Sequence, residues 1–169
     1  MSINTKRVAG RRELWFDSFD EVLSDAERCV TQGYRPLGNW STGQILSHLS
    51  RTIVGSVDGF GFRSPWFIRW FAPLLKQRFL KQRMPAGFKL PRAAAAELVP
   101  TDETAAAAGL ELLRSAIAHV QSTSQRAPSP IFGPMSAAES DRLQFNHAAM
   151  HLSFLVPACD SQLTARTTA

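Results

Sequence analysis

The sequence predicts an all-α fold, a four-helix bundle with a long crossover between its second and third helices. Three features carry that expectation. Four segments place apolar residues at helical spacing. Three of them open with a Ser-x-x-Glu or Ser-x-x-Gln capping box, at Ser18, Ser41 and Ser136. No segment alternates polar and apolar residues with the period of a strand.

Residues 1–16 are a basic lead-in, with Lys6, Arg7, Arg11 and Arg12 ahead of Leu14-Trp15-Phe16. Its first residues are expected to be mobile and its aromatic end to pack on the domain. Ser18 opens a first helix over 19–32, with Val22, Leu23, Ala26, Cys29 and Val30 on one face and Gly33 as the stop. A connector holding Pro36, Gly38 and Asn39 leads to a second helix over 42–57. Ile45, Leu46, Leu49, Ile53, Val54 and Val57 form its apolar face, and His48 falls inside that face.

Residues 58–100 read as an irregular crossover that wraps the bundle. Asp58-Gly-Phe-Gly-Phe62 breaks the second helix, and Ser64-Pro65 suits the start of a short helix. The apolar run from Trp66 to Leu75 is interrupted by Arg69 and Pro73, and Met84-Pro-Ala-Gly-Phe-Lys-Leu-Pro91 is incompatible with regular helix. Aromatic packing on the core is the favoured role. Two others are a wall of a ligand pocket and a membrane-surface contact through 65–83, where basic and aromatic residues alternate with aliphatic ones.

Thr101-Asp-Glu103 begins a third helix over 102–123, with a Leu110, Leu113, Ile117, Val120 seam that leaves His119 facing solvent. A rigid loop, Ala127-Pro-Ser-Pro-Ile-Phe-Gly-Pro134, precedes the fourth helix, which starts at Ser136 and is expected to run until Pro157 stops it. Leu143, His147, Met150, His151 and Phe154 form its inward stripe. The domain is placed at 17–157, with a flexible tail over 158–169.

A chain of 169 residues with 44% hydrophobic and 20% charged residues is large enough for one independent core. The net charge of +5 is spread along the chain, and no DNA-reading motif is present, so nucleic acid is not an expected partner. Cys29 reads as a buried inert thiol and Cys159 lies in the polar tail; without a disulfide framework, a cytoplasmic location is expected. No apolar run follows the N-terminal arginines, so no secretory signal is expected, and no stretch reaches the length of a membrane span.

His147 and His151 stand one helical turn apart, a spacing that lets two imidazoles converge on one ion. His48 on the second helix supplies a third nitrogen. Three histidine ligands leave coordination positions for water or substrate, the pattern of a catalytic metal, and suit zinc, nickel or iron.

These residues also carry a resemblance. Leu37-Gly-Asn-Trp-Ser-Thr-Gly-Gln-Ile-Leu-Ser-His48, Met84 to Pro91, Pro128-Ser-Pro-Ile-Phe-Gly133 and His147-Ala-Ala-Met-His151-Leu-Ser-Phe-Leu-Val-Pro157 resemble the DinB/YfiT-like superfamily of metalloenzymes. Within it the chain is similar, over roughly 11–157, to a family of unknown function numbered 1569. The resemblance implies an up-down-down-up bundle, a divalent metal on His48, His147 and His151, and an activity such as S-transfer from a low-molecular-weight thiol.

On that basis the expected function is metal-dependent thiol S-transfer, or hydrolysis by an activated water, on a small-molecule substrate. Arg51, one turn beyond His48, is the candidate for binding the carboxylate of a thiol cofactor; Gln44 and Gln144 are candidate hydrogen-bond partners of the histidines. The apolar stripes offer no Asp or Glu as a general base. The alternatives are therefore a non-catalytic stress-response module that holds metal or a small ligand, and a peripheral membrane-surface protein. A homodimer is compatible with the bundle.

Overall fold

The computed structural model describes residues 3–87, 92–101 and 103–158, with the backbone alone described at 66–69 and 73. Residues 88–91, Asp102, Cys159 and the remainder of the expected flexible tail lie outside the described residues.

The regular structure is mostly helical. The helices are α1 (Phe19–Thr31), α2 (Thr42–Asp58), α3 (Trp66–Lys81), α4 (Arg92–Leu98), α5 (Ala106–Gln121) and α6 (Ala137–Leu152), with a short 3-10 turn at Thr5–Arg7. Among the described residues one pair of strands forms, β1 (Arg35–Pro36) with β2 (Leu155–Val156), antiparallel, with Arg35 opposite Val156.

The caps form largely as their chemistry dictates. Ser41 and Ser136 each close a complete capping box with Gln44 and Glu139, and a serine at this position contributes about 1 kcal/mol. Ser18 accepts from the Glu21 amide, but Glu21 reaches back one residue further and accepts from Asp17 N at 2.7 Å. At the other end of α1, Gly33 has φ +64° and Tyr34 N donates to Cys29 O at 2.9 Å, so a left-handed glycine closes the helix.

One core joins α1, α2, α5 and α6. Val22, Ala26 and Cys29 of α1 meet Leu46, Leu49 and Ile53 of α2, the whole Leu110, Leu113, Ile117, Val120 seam of α5, and Ala148 and Leu152 of α6. Each large side chain buried here contributes roughly 1.5–3 kcal/mol. α2 and α5 have the most intimate contact. A Cβ on Gly43 would lie 1.9 Å from Thr104 O, and one on Gly109 would lie 2.7 Å from Gly43 O, so both positions require glycine.

Several expectations are corrected. The segment 58–100 is more regular than expected: α3 does start right after Ser64-Pro65 but continues through Pro73 to Lys81, and α4 follows. α5 starts at Ala106 rather than 102: Ala105 is extended, and the Thr104 and Ala105 carbonyls lie against Gly43. α6 stops at Leu152, well short of Pro157, and Phe154 lies beyond it. Its buried face centres on Gln144, Ala148 and Leu152, leaving Leu143 and Met150 half-exposed.

The early end of α6 has a tertiary cause. Arg11 Nη2 donates to Met150 O and Arg12 Nη2 to Leu152 O, while Arg12 N donates to Ser153 O. The lead-in thus satisfies carbonyls that a longer helix would satisfy internally. Arg12 also makes a two-pronged ion pair with buried Asp25 at 2.9 and 2.8 Å, and Arg28 bonds the same carboxylate. Burial opposes the Asp25 charge, but the hydrogen bonds and charges of the two arginines prevail and hold its pKa below the usual value.

Two outcomes test this packing. Gly109→Ala should cost about 1–3 kcal/mol in chemical denaturation, since a methyl group must displace backbone rather than a side-chain tip. Arg12→Ala should cost about 3–5 kcal/mol, because it leaves Asp25 buried beside only the outer arginine. A loss under about 1 kcal/mol for the second variant would mean that the lead-in does not hold the C-terminal end of α6.

Candidate metal centre

α2 and α6 each contribute one side of a histidine cluster. His48 is buried among the apolar residues of α2, while His147 and His151 border the buried face of α6 and keep some accessible surface. Nitrogen atoms of the three rings lie within 4.8 Å of one another. His147 Nε2 is 3.3 Å from His48 Nε2 and 3.0 Å from His151 Nε2. The structure therefore brings together the three histidines on which the sequence converges.

The surroundings fix which nitrogens carry protons. His48 Nδ1 is 2.8 Å from Leu98 O. A carbonyl only accepts, so Nδ1 carries the proton and Nε2 presents a lone pair. Thr52 Oγ1 donates to Leu49 O at 2.9 Å and so faces His147 Nδ1, at 3.5 Å, as an acceptor. That contact accommodates a His147 proton at Nδ1, the tautomer that turns the Nε2 lone pair toward His48. A metal–nitrogen bond of about 2.0–2.1 Å places neighbouring nitrogens about 2.8–3.0 Å apart in octahedral geometry and about 3.3–3.4 Å apart in tetrahedral geometry. The two measured separations fall in those ranges. The His147 pairs with His48 and His151 are thus spaced as ligands of a divalent transition-metal ion, and the three rings together could hold one.

Electrostatics agree. Burial lowers the pKa of His48, the Leu98 carbonyl partly opposes it, and the Arg51 charge reinforces it. Burial, then the His48 charge, pushes His147 down to about 3. His151 lies well below its ordinary value through burial, the other two histidines and Arg11. Neutral imidazoles, the form that binds metals, therefore prevail at neutral pH.

Trp40 forms a wall. Its ring is parallel to His151 within 4°, with centroids 5.4 Å apart, and lies 4.9 Å from the His48 ring. Gln144, one turn before His147, is buried, and its Oε1 has no hydrogen-bond partner among the described residues. Gln44 belongs to the α2 cap, its Oε1 accepting from Ser41 N. Arg51 is exposed and reaches Glu97 O at 3.4 Å. His119 is on the surface, paired with Asp58 at 2.9 Å, as its place off the seam predicts. Burial pushes the Cys29 thiol up to about 11, which removes it as a nucleophile. A cleft of about 390 Å³ runs along a different face of α6, past Asn146, Ala149 and Met150, with Arg11 and Arg83 on its walls; none of the three histidines lines it.

Sequence reasoning did not find Leu98 O, Thr52 or Trp40. Thr52 had a signal, since it stands one turn after His48 on the same face of α2. The Leu98 carbonyl depends on α4, which the crossover reading left unstructured. Nothing local marks Trp40.

These features define an all-helical protein with a partly buried three-histidine cluster able to hold a metal ion. The chain belongs to the family described as "Protein of unknown function (DUF1569)", whose model matches residues 8–158. Comparison with curated proteins gives no match, and comparison with solved structures gives none. Among the described residues, no helix is long and apolar enough to cross a membrane.

The low histidine pKa values set a pH dependence. In metal-free protein the unfolded chain takes up protons near pH 6.5 while the folded cluster resists them down to about 3 at His147. The contribution to stability is full above pH 6.5 and is lost as pH falls toward about 3. Denaturation of chelator-treated protein should show this decline, and His147→Gln should flatten it. Equal slopes for the two proteins would contradict the buried neutral state.

Proposed function

We propose that this protein is a metal-dependent enzyme of the DinB-like type, transferring a low-molecular-weight thiol to an electrophilic small molecule. In this reading α1, α2, α5 and α6 are an up-down-down-up four-helix bundle within a domain spanning 17–157, working in the cytoplasm. The carrying observation is the convergence of three imidazole nitrogens, with the His48 proton turned outward to Leu98 O and the His147 proton toward Thr52.

His48, His147 and His151 would hold a divalent zinc, nickel or iron ion. When bound, such an ion supplies Lewis acidity that favours the thiolate over the thiol. The reaction forms one sulfur–carbon bond and breaks the bond from that carbon to its leaving group, which departs with the electron pair; the thiol proton goes to solvent. The chain's own residues have defined parts. Trp40 shields the cluster from water on the side where it stacks. Gln144 Oε1 offers an acceptor on the helix face that carries His147 and His151. Arg51, whose charge is felt by His48, and Arg11, whose charge is felt by His151, are candidates to bind the cofactor carboxylate.

A second reading, a non-catalytic metal-holding module, is supported by one observation: among the described residues no carboxylate is hydrogen-bonded to any of the three histidines.

Metal analysis of the purified protein tests the first claim, with about one equivalent expected in wild type and none in His48→Ala or in His147→Ala/His151→Ala. No metal after reconstitution with zinc, nickel and iron would refute it. Turnover of electrophiles by the loaded protein with cellular thiols then decides between enzyme and module, since the module predicts bound metal and no turnover with any thiol.

A further inference from the structure

The helix α3 presents two apolar faces. Its inner face is docked on α6: Ala72 and Leu80 are buried, Lys76 pairs with Glu139 at 2.7 Å, and Asn146 Nδ2 donates to Phe79 O and Leu80 O. Its outer face carries Trp70, Phe71, Leu74 and Leu75, spaced i, i+1, i+4, i+5. All four are exposed, Trp70 by 76% and Leu74 by 78%. Scattered exposed apolar residues need no explanation, but four adjacent large ones on one helix face mark a contact surface.

Charge indicates what meets that surface. From Gly59 to Ala96 the sequence holds eight basic residues and no acidic one. Arg78 and Lys81 lie on the same outer face of α3, are exposed, and have no acidic partner among the described residues. A second copy of this chain docked through the same face would set like charges against each other. An anionic lipid surface matches both parts: the aromatic and aliphatic side chains enter the headgroup boundary while the arginine and lysine reach the phosphates.

We propose that the outer face of α3 is a docking surface for anionic membrane, with Trp70, Phe71, Leu74 and Leu75 inserting and Arg78 and Lys81 binding lipid phosphate. The helix is fixed to α6 from behind, so it lies in the plane of the surface instead of crossing it. This inference is independent of the metal centre.

Flotation of the full chain with vesicles tests it, comparing phosphatidylcholine alone with a mixture containing about one third phosphatidylglycerol. Wild type should float with the mixed vesicles at least about tenfold more strongly than with phosphatidylcholine, and less as salt rises. Phe71→Ser/Leu74→Ser should abolish flotation on both. Arg78→Gln/Lys81→Gln should reduce it by about tenfold or more on the mixed vesicles only. All four positions are exposed, so circular dichroism and thermal unfolding of the variants should match wild type. Absence of flotation, or flotation indifferent to both double variants, overturns the proposal. So does a wild-type dimer that Phe71→Ser/Leu74→Ser dissociates, which would assign the face to a second copy.

Discussion

Two imidazole lone pairs pointed at each other at 3.3 Å in a poorly solvated environment repel unless something positive lies between them or one of them takes up a proton. Burial resists the proton, since it lowers the pKa of His48, His147 and His151 together. A cation would relieve the repulsion without an added proton, and three neutral nitrogens could hold one with positions to spare. The rest of the site follows from this constraint. Leu98 O and Thr52 keep the ring protons on the far side, and Trp40 limits how the His151 ring can turn.

Holding the α6 histidines in place falls partly to residues far away in sequence. His151 is the penultimate residue of α6, where a helix end frays if its carbonyls are unsatisfied. Arg11 and Arg12 supply those partners, and Arg12 is itself held by Asp25 on α1. Phe154, just past the helix, is covered by the Arg11 guanidinium 4.2 Å from its ring centre. Leu155 and Val156 then pair with Pro36 and Arg35 of the α1–α2 connector, which anchors the chain just past the helix. A lead-in that looks like a basic arm therefore secures the end of the helix that carries two of the three histidines.

Much of this was legible in the residues. The serine boxes and Gly33 set the starts of α1, α2 and α6 and the end of α1, because caps are local chemistry. The α5 seam and His48 on the α2 face were readable from helical spacing for the same reason. Features set by distant contacts were not legible. Gly43 against Thr104 delays the start of α5, Arg12 ends α6 early, and α3 continues through a proline that local propensity treats as a break. The fourth-helix stripe was displaced too: Ala148 and Leu152 lie at its buried centre, and the histidines sit at the edge, where accessible surface remains for a ligand.

X-ray absorption spectroscopy of the metal-loaded protein reads the ligands that surround an ion at His48, His147 and His151. Three imidazole nitrogens are expected at about 2.0–2.2 Å with oxygen donors completing the shell, and one imidazole fewer in His48→Ala. A shell containing sulfur, or one that keeps three imidazoles after His48 is removed, would place the ion elsewhere and contradict the three-histidine site.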